Sequence, residues 1–231
     1  MRRYFLLFIV LILCACQPAP ALEPTQTAWV ITTTPLPTTS PTTTPAPTDT
    51  PELITVSAGE GVLFEGPGVS IILPSTYIAA SKEDMDTIID YLEDMGGYFA
   101  QTAQMLRDNP DLYLVYAYDT VIGPSGAMTS MNVTTEAIPT GFSLEAVVQA
   151  ITAQYQNMNA TLEQTSDCSK AGFECARLTV VMDVQGTSMK LWQYILKNEA
   201  TLYAATFGTS SVEFEQRQTE FENSFESLQI D

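Results

Sequence analysis

Histidine is absent from this chain of 231 residues. Its absence excludes Ser–His–Asp and Cys–His catalysis, most zinc sites and histidine-based proton transfer near neutral pH. Basic residues are also scarce: nine Lys and Arg stand against 27 Asp and Glu, and the formal net charge is −18. A surface this acidic is repelled by nucleic-acid phosphates and by anionic lipid headgroups. The sequence therefore predicts no nucleic-acid partner and no histidine-dependent active site.

The chain also lacks a hydrophobic run long enough to span a membrane. A basic pair at residues 2–3 precedes the apolar residues 4–13, which are too few to cross a hydrocarbon core of about 30 Å as a helix. This arrangement is typical of a signal peptide. The following Leu13-Cys14-Ala15-Cys16 resembles the bacterial lipobox, in which the cysteine is diacylated and becomes the first residue of the mature protein. We therefore predict a signal peptide over residues 1–15 and lipidation of Cys16 (with palmitate among its acyl chains), which anchors the protein to the extracytoplasmic side of the cell membrane.

Thr and Pro dominate the segment that follows, residues 18–51. Such a segment has little apolar surface to bury, so nothing drives it to fold. Proline favours polyproline II at ~3.1 Å per residue, which allows a stalk of up to about 100 Å. We predict that residues 16–51 form a lipidated, disordered stalk and that residues 52–231 form a single globular domain.

The four cysteines do not predict two disulfides, because Cys14 leaves with the signal peptide and Cys16 carries lipid. Cys168 and Cys175 remain, and an oxidising extracytoplasmic space favours a disulfide across the short loop between them. Loop closure would contribute about 2–2.5 kcal/mol. Two free thiols or redox or metal chemistry are the alternatives, although a redox Cys-x-x-Cys has closer spacing and a metal site needs more ligands.

The domain alternates between strand and helix periodicity in the order ββαββαββββα. A Gly-Pro-Gly turn separates the first two strands, residues 61–65 and 69–74. Turns at Gln185-Gly186 and Asn198-Glu199 predict hairpins between the last three strands. The strands after the first helix are predicted over residues 112–118, 129–137, 161–168, 173–185, 188–197 and 201–207.

Three amphipathic helices are predicted from apolar residues at helical spacing. The first begins with Ser81 as its N-cap, and Gly96-Gly97 kinks or divides it. The second begins with Ser143 as its N-cap. The third is capped by Ser210, with Glu213 at the capping-box position. Its apolar face consists of Phe214, Phe221, Phe225 and Leu228.

Antiparallel hairpins combined with amphipathic helices predict an α+β fold, in which a central antiparallel β-sheet is flanked by helices. Four segments between about residues 60 and 230 also resemble PsbP-like domains in their apolar and aromatic pattern. They are Ile71-Ile72-Leu73-Pro74, Gly186 with Trp192-Gln193-Tyr194-Ile195, Leu202-Tyr203-Ala204-Ala205-Thr206-Phe207, and Phe221 with Phe225. The resemblance implies an α/β/α sandwich. The family includes photosystem accessory subunits and bacterial lipoproteins of unknown role, so a photosystem role would follow from family analogy alone.

The densest acidic cluster lies on the first predicted helix. It consists of Glu83, Asp84, Asp86, Asp90, Glu93 and Asp94. Ca²⁺ prefers carboxylate oxygens, but a rigid helix spreads its carboxylates, and the apolar stripe places these on the solvent side. Asp108-Asn109-Pro110-Asp111 is either a cation-binding loop or a helix-ending turn, and Gly123-Pro124-Ser125-Gly126 marks a loop between strands. We predict no catalytic residue, no metal ligand and no cofactor.

Trp192, Tyr194 and Tyr203 lie on two successive predicted strands. They form either part of the core beneath a helix or an exposed aromatic binding face. The sequence predicts a non-enzymatic binding or scaffold domain, tethered to the cell membrane, whose partner is an unknown envelope protein or solute. One alternative is a lipoprotein that binds a metal ion or a small solute. The other is a carboxylate-dependent hydrolase, which requires two carboxyl groups facing each other in one buried cleft.

Overall fold

Seven antiparallel strands form the main sheet of the computed structural model, which describes residues 61–231. The strands are β3 (Tyr77–Ala80), β4 (Tyr113–Asp119), β5 (Ser130–Ala137), β6 (Thr161–Asp167), β7 (Glu174–Val184), β8 (Thr187–Asn198) and β9 (Thr201–Ser210). They lie in the order β3-β4-β5-β9-β8-β7-β6. Two-residue turns join β7 to β8 and β8 to β9. At Gln185-Gly186 both residues have positive φ, 54° and 85°, as in a type I′ hairpin turn.

A second, smaller sheet has the order β1-β2-β10 and is also antiparallel. Its strands are β1 (Val62–Gly66), β2 (Val69–Leu73) and β10 (Gln229–Ile230). The sheet joins the two ends of the described chain, because β10 follows the last helix and pairs with β2 through Gln229 and Ile230.

Four α-helices within residues 61–231 accompany the sheets. They are α1 (Met85–Met95), α2 (Gly97–Asp108), α3 (Leu144–Asn157) and α4 (Phe214–Ser227). The predicted first helix is divided, because Gly96 and Gly97 both adopt positive φ (69° and 55°) and interrupt the helical backbone. A 3-10 turn, Lys82–Asp84, precedes α1.

The two faces of the main sheet are covered by different elements. Along β8, Leu191 and Ile195 pack in the core beneath α3, whereas Trp192 and Tyr194 pack on the opposite face beneath α4. Helices α1 and α2 cover the β3–β4 end on the α3 side, and β2 joins α4 on the other side. The chain therefore has the predicted α+β fold, with helical layers on both sides of a central antiparallel sheet.

The predicted helix starts had different outcomes. Ser143 is the N-cap of α3, and its hydroxyl accepts from the amide of Ala146 at 3.2 Å, as predicted. The prediction for Ser210 was wrong: β9 extends through it, Glu213 is the N-cap of α4, and the buried Ser210 hydroxyl has no hydrogen-bond partner. Ser81 precedes the 3-10 turn and makes no side-chain capping bond.

The short strands β3 and β10 were not predicted. With four and two residues, they are too short to show the alternation by which a strand is recognised. The pairing partner stabilises each of them instead, β4 for β3 and β2 for β10.

Candidate functional site

A buried group of charges lies between α4 and the β3–β4 end of the main sheet. The guanidinium of Arg217 donates to the carboxylates of Asp119 and Glu220, both at 2.8 Å. The side chain of Asp119 is 1% exposed. The hydroxyl of Tyr77 donates to the other oxygen of Glu220 at 2.5 Å. Burial and the neighbouring Glu220 carboxylate raise the pKa of Tyr77 well above its ordinary value, so this hydroxyl stays a donor.

This group fastens α4 to the sheet. Asp119 and Glu220 share a single guanidinium, which balances one of their two negative charges, and the Tyr77 hydroxyl donates to the second carboxylate. The geometry differs from that of a glycosidase, in which two carboxyl groups face each other across a substrate cleft. We therefore assign these residues a structural role.

Glu213 fastens the loop between β4 and β5 to the start of α4. Its carboxylate accepts from the amide of Ser125 at 2.8 Å and from the hydroxyl of Thr209 at 3.5 Å. Gly123 lies so close that a Cβ atom there would be 2.3 Å from a Glu213 oxygen. The predicted loop at residues 123–126 is thus packed against α4 by backbone contact, which explains glycine at position 123.

At the opposite end of α4, a short loop is closed by a disulfide. Cys168 and Cys175 are bonded, with their Cα atoms 5.2 Å apart, so the predicted disulfide is present. Between them the chain reverses through a bridge from Lys170 to Phe173, with Gly172 at φ 82°. Residues 168–175 are called the disulfide loop below.

Lys170 fastens the disulfide loop to the end of α4. Its ammonium donates to the carbonyl oxygens of Phe225 and Glu226 at 2.8 and 2.9 Å, and it lies 5.1 Å from the centre of the Phe225 ring. These carbonyls belong to the last turn of the helix, where backbone carbonyls carry partial negative charge. The Phe225 carbonyl also accepts from the amide of Leu228 at 3.2 Å. Burial lowers the pKa of Lys170, and the Glu226 carboxylate opposes that shift.

A groove runs between the disulfide loop and the α4–β10 segment. Its volume is about 480 Å³, within the range of small-ligand sites. Apolar and polar side chains both line it: Ser169, Lys170, Ala171, Phe173, Glu226, Leu228, Gln229 and Ile230. We take this groove as the candidate functional site, because it is a concave surface that combines apolar contact, a carboxylate and a strand edge.

The predicted aromatic binding face is not an exposed surface. Trp192 is 5% exposed and Tyr194 is 2% exposed, because α4 lies over them and the Phe225 ring stacks on Tyr194 at 3.7 Å. Tyr203 is half-buried and meets the edge of Phe173 at 5.8 Å. Of the three residues, Tyr203 alone lies beside the groove, through its contact with Phe173.

The acidic cluster of α1 lies on the solvent-exposed side of the helix, as the apolar stripe predicted. At the end of α2, Asp108 accepts from Gln104. In the turn that follows, Asp111 pairs with Lys82. Over residues 61–231 the structure brings no three His, Cys, Asp or Glu side chains into a group that could hold a metal ion. In the same range, no helix is long and apolar enough to cross a membrane.

Glu136 on β5 was missed by the sequence analysis. It faces the α3 side of the sheet in register with Leu202, and its Oε2 is buried without a hydrogen-bond partner. Burial raises the pKa of Glu136 to about 7. The residue pattern around it could not reveal this, because strand alternation does not show how deeply a neighbouring helix covers a side chain.

No family model and no curated protein matches this chain. Among solved structures, it is similar to cyanobacterial PsbP (CyanoP) from Synechocystis sp. PCC 6803, at 12% identity and a TM-score of 0.49, over 76% of this chain and 95% of that one. It is also similar to LpqN, a Mycobacterium tuberculosis protein involved in cell envelope biogenesis, at 9% identity and a TM-score of 0.46, over 74% and 84%. A third is PA94 from Pseudomonas aeruginosa, a protein of unknown function, at 10% identity and a TM-score of 0.40, over 73% and 96%.

Proposed function

We propose that this chain is a lipid-anchored extracytoplasmic protein, and that its domain serves as a non-enzymatic binding or scaffold module of the cell envelope. The groove between the disulfide loop and α4–β10, about 480 Å³ in volume, carries the proposal. A partner enters this groove while the predicted stalk, residues 16–51, connects the domain to the acylated Cys16.

The disulfide supports an extracytoplasmic location. Structural disulfides persist in oxidising compartments and are rare where thiols are kept reduced. Cys168 and Cys175 are bonded, and the loop that they close forms one wall of the groove. The N-terminal sequence predicts an extracytoplasmic location. In that compartment the disulfide stays oxidised, so the loop that lines the groove keeps its shape.

The use of the buried charges supports a binding role over catalysis. Asp119 and Glu220 neutralise Arg217, Glu213 fastens the β4–β5 loop, and Lys197 pairs with Glu174 at 2.5 Å. Active sites hold perturbed charges in clefts that face a substrate. Here these charges hold elements of the fold together.

The anchor is tested with Cys16→Ala in the full chain, and Cys14→Ala serves as the matched control. Acylation of Cys16 predicts that Cys16→Ala removes palmitate labelling and membrane retention, whereas Cys14→Ala keeps both. Unchanged retention of Cys16→Ala after a high-salt wash would refute the anchor.

The binding role is tested by placing a photo-crosslinking amino acid at Ala171 in the groove wall of the full-length protein in cells. The control site is Ala137, which is exposed at the end of β5, outside the groove. We expect a discrete adduct from position 171 that position 137 does not form. Equal adducts from both positions, or none from position 171, would contradict a partner in the groove.

A further inference from the structure

The strand β10 has an open edge along the groove. The amide of Asp231 donates to the carbonyl of Gly68 at 3.3 Å, and Ile230 lies opposite Val69 in the next register position. Residues of an antiparallel strand alternate between hydrogen-bonded and non-hydrogen-bonded pairs. The amide and carbonyl of Ile230 therefore point away from β2. Since Ile230 also lines the groove, this edge can receive another strand.

The shape and lining of the groove suit a short extended segment. Phe173 and Ile230 are partly buried and provide apolar contact. The volume of about 480 Å³ matches a small ligand and not a folded domain. In strand addition, main-chain hydrogen bonds contribute affinity and alternate side chains enter pockets. The groove offers both kinds of contact.

The charges favour a basic ligand. Residues 61–231 contain seven basic and 23 acidic residues. Each basic side chain in this range already contacts a carboxylate or, for Lys170, helix carbonyls. The basic residues are Lys82, Arg107, Lys170, Arg177, Lys190, Lys197 and Arg217. Within the groove, Lys170 donates to carbonyls of α4 and Glu226 is exposed. The groove therefore offers a ligand one exposed carboxylate on a domain in which acidic residues outnumber basic ones by 23 to seven, and this excess favours a basic ligand.

We propose that the groove binds a short, basic, extended peptide segment of a partner protein, which adds a strand to the open edge of β10. The proposal rests on the proposed binding function and specifies the chemistry of its ligand. The ligand alternates apolar side chains, which pack on Phe173 and Ile230, with basic side chains, which lie near Glu226.

The test uses labelled hexapeptides and the full-length protein, purified from membranes in a non-ionic detergent. One peptide alternates lysine and valine, a second alternates glutamate and valine, and a third is the lysine peptide with its central amides N-methylated. Fluorescence anisotropy should show the lysine peptide binding at least about tenfold more tightly than the glutamate peptide, because opposite charges complement each other. N-methylation should weaken binding about fivefold, since a hydrogen bond contributes about 1 kcal/mol.

Variants locate the binding. Ala171→Trp fills the groove and should weaken binding at least tenfold, whereas Ala137→Trp should not change it. Glu226→Gln should weaken it about threefold, as expected for a solvent-exposed charge pair, and Glu145→Gln on α3 is the matched control. The rival site is the acidic face of α1. A larger loss from Asp90→Asn with Asp94→Asn than from Ala171→Trp would overturn the proposal.

The outcomes separate this proposal from the proposed function. If Ala171 gives an adduct in cells but the lysine and glutamate peptides bind alike, or neither binds, the basic-strand proposal fails and the binding function stands. If neither the adduct nor peptide binding is seen, both fail.

Discussion

The two ends of α4 are held to the sheet by different means. At its first turns, Arg217 bridges Asp119 and Glu220 in a buried group in which each charge has a partner within 2.8 Å. At its last turn, the exposed disulfide loop is fastened by Lys170, whose ammonium binds helix carbonyls instead of a carboxylate.

The two ends of α4 therefore differ in how well they can adjust to a ligand. A buried charge that loses its partner costs several kcal/mol, so the Arg217 end is held in one arrangement. The Lys170 end lies at the surface, where water can replace a lost contact. The proposed binding groove lies at the Lys170 end, and the Arg217 end is the more rigid of the two.

Arg217→Met would break the rigid end and should have the largest effect. It leaves Asp119, which is 1% exposed, as a buried carboxylate without its cation, and we expect the free energy of unfolding to fall by about 3–5 kcal/mol. Urea denaturation of the purified protein measures this. Arg107→Met, which removes an exposed ion pair with Glu93, should leave the denaturation midpoint nearly unchanged. An equal loss of unfolding free energy in the two variants would contradict the prediction that burial sets the cost of removing an ion pair.

Removing the disulfide would loosen the surface end. Cys168→Ser combined with Cys175→Ser should lower the free energy of unfolding by about 2 kcal/mol, because the unfolded chain gains loop entropy. Hydrogen exchange should speed up around β10 and the disulfide loop while β4 stays protected. Reduced wild-type protein should match the double variant, and a loss of protection in β4 would show that the two ends of α4 are not independent.

Glu136→Gln tests a buried carboxylate that has no cation beside it. Whereas Asp119 is paired with Arg217, Glu136 is half-buried and its Oε2 lacks a hydrogen-bond partner. Its pKa is raised by burial from 4.5 to about 7, so the folded state holds this proton longer than the unfolded state does. Ionisation of Glu136 therefore lowers the free energy of unfolding as pH rises from about 4.5 to about 7. Above that range the loss stays constant. After discounting for solvent screening, we expect Glu136→Gln to raise stability by about 1 kcal/mol at pH 8 and by little at pH 4.

Thermal or urea unfolding of both proteins across this pH range checks the prediction. A gain for Glu136→Gln that is equal at pH 4 and pH 8 would show that packing, and not ionisation, is responsible. Glu145→Gln, at an exposed position of α3, is the control and should follow the wild type at every pH.

The elements with long periodic patterns were predictable from sequence. The apolar face of α4, with Phe214 and Phe221, is buried as predicted. The turn at Gln185-Gly186 also lies where it was predicted. The start of α4 was mispredicted, because Ser210 continues the pairing of β9 with Met189 on β8. That pairing outweighs the local capping signal.

The candidate site was only half predictable. Cys168 and Cys175 indicated the loop that forms one of its walls, because two nearby cysteines in a domain predicted to be extracytoplasmic favour a bond. The other wall consists of β10, a strand of two residues that exists through its pairing with a distant segment. Sequence pattern records local periodicity and does not record such pairing.

By itself, the sequence determined the types of the long elements, the excess of negative charge and the absence of histidine chemistry, because these depend on composition and on neighbouring residues. Tertiary structure decided that Trp192 and Tyr194 lie inside, that Arg217 meets Asp119, and that Glu136 has a raised pKa. Alternation along a strand tells which side chains share a face. Which element then covers that face, and how completely it excludes water, depends on helices from elsewhere in the chain.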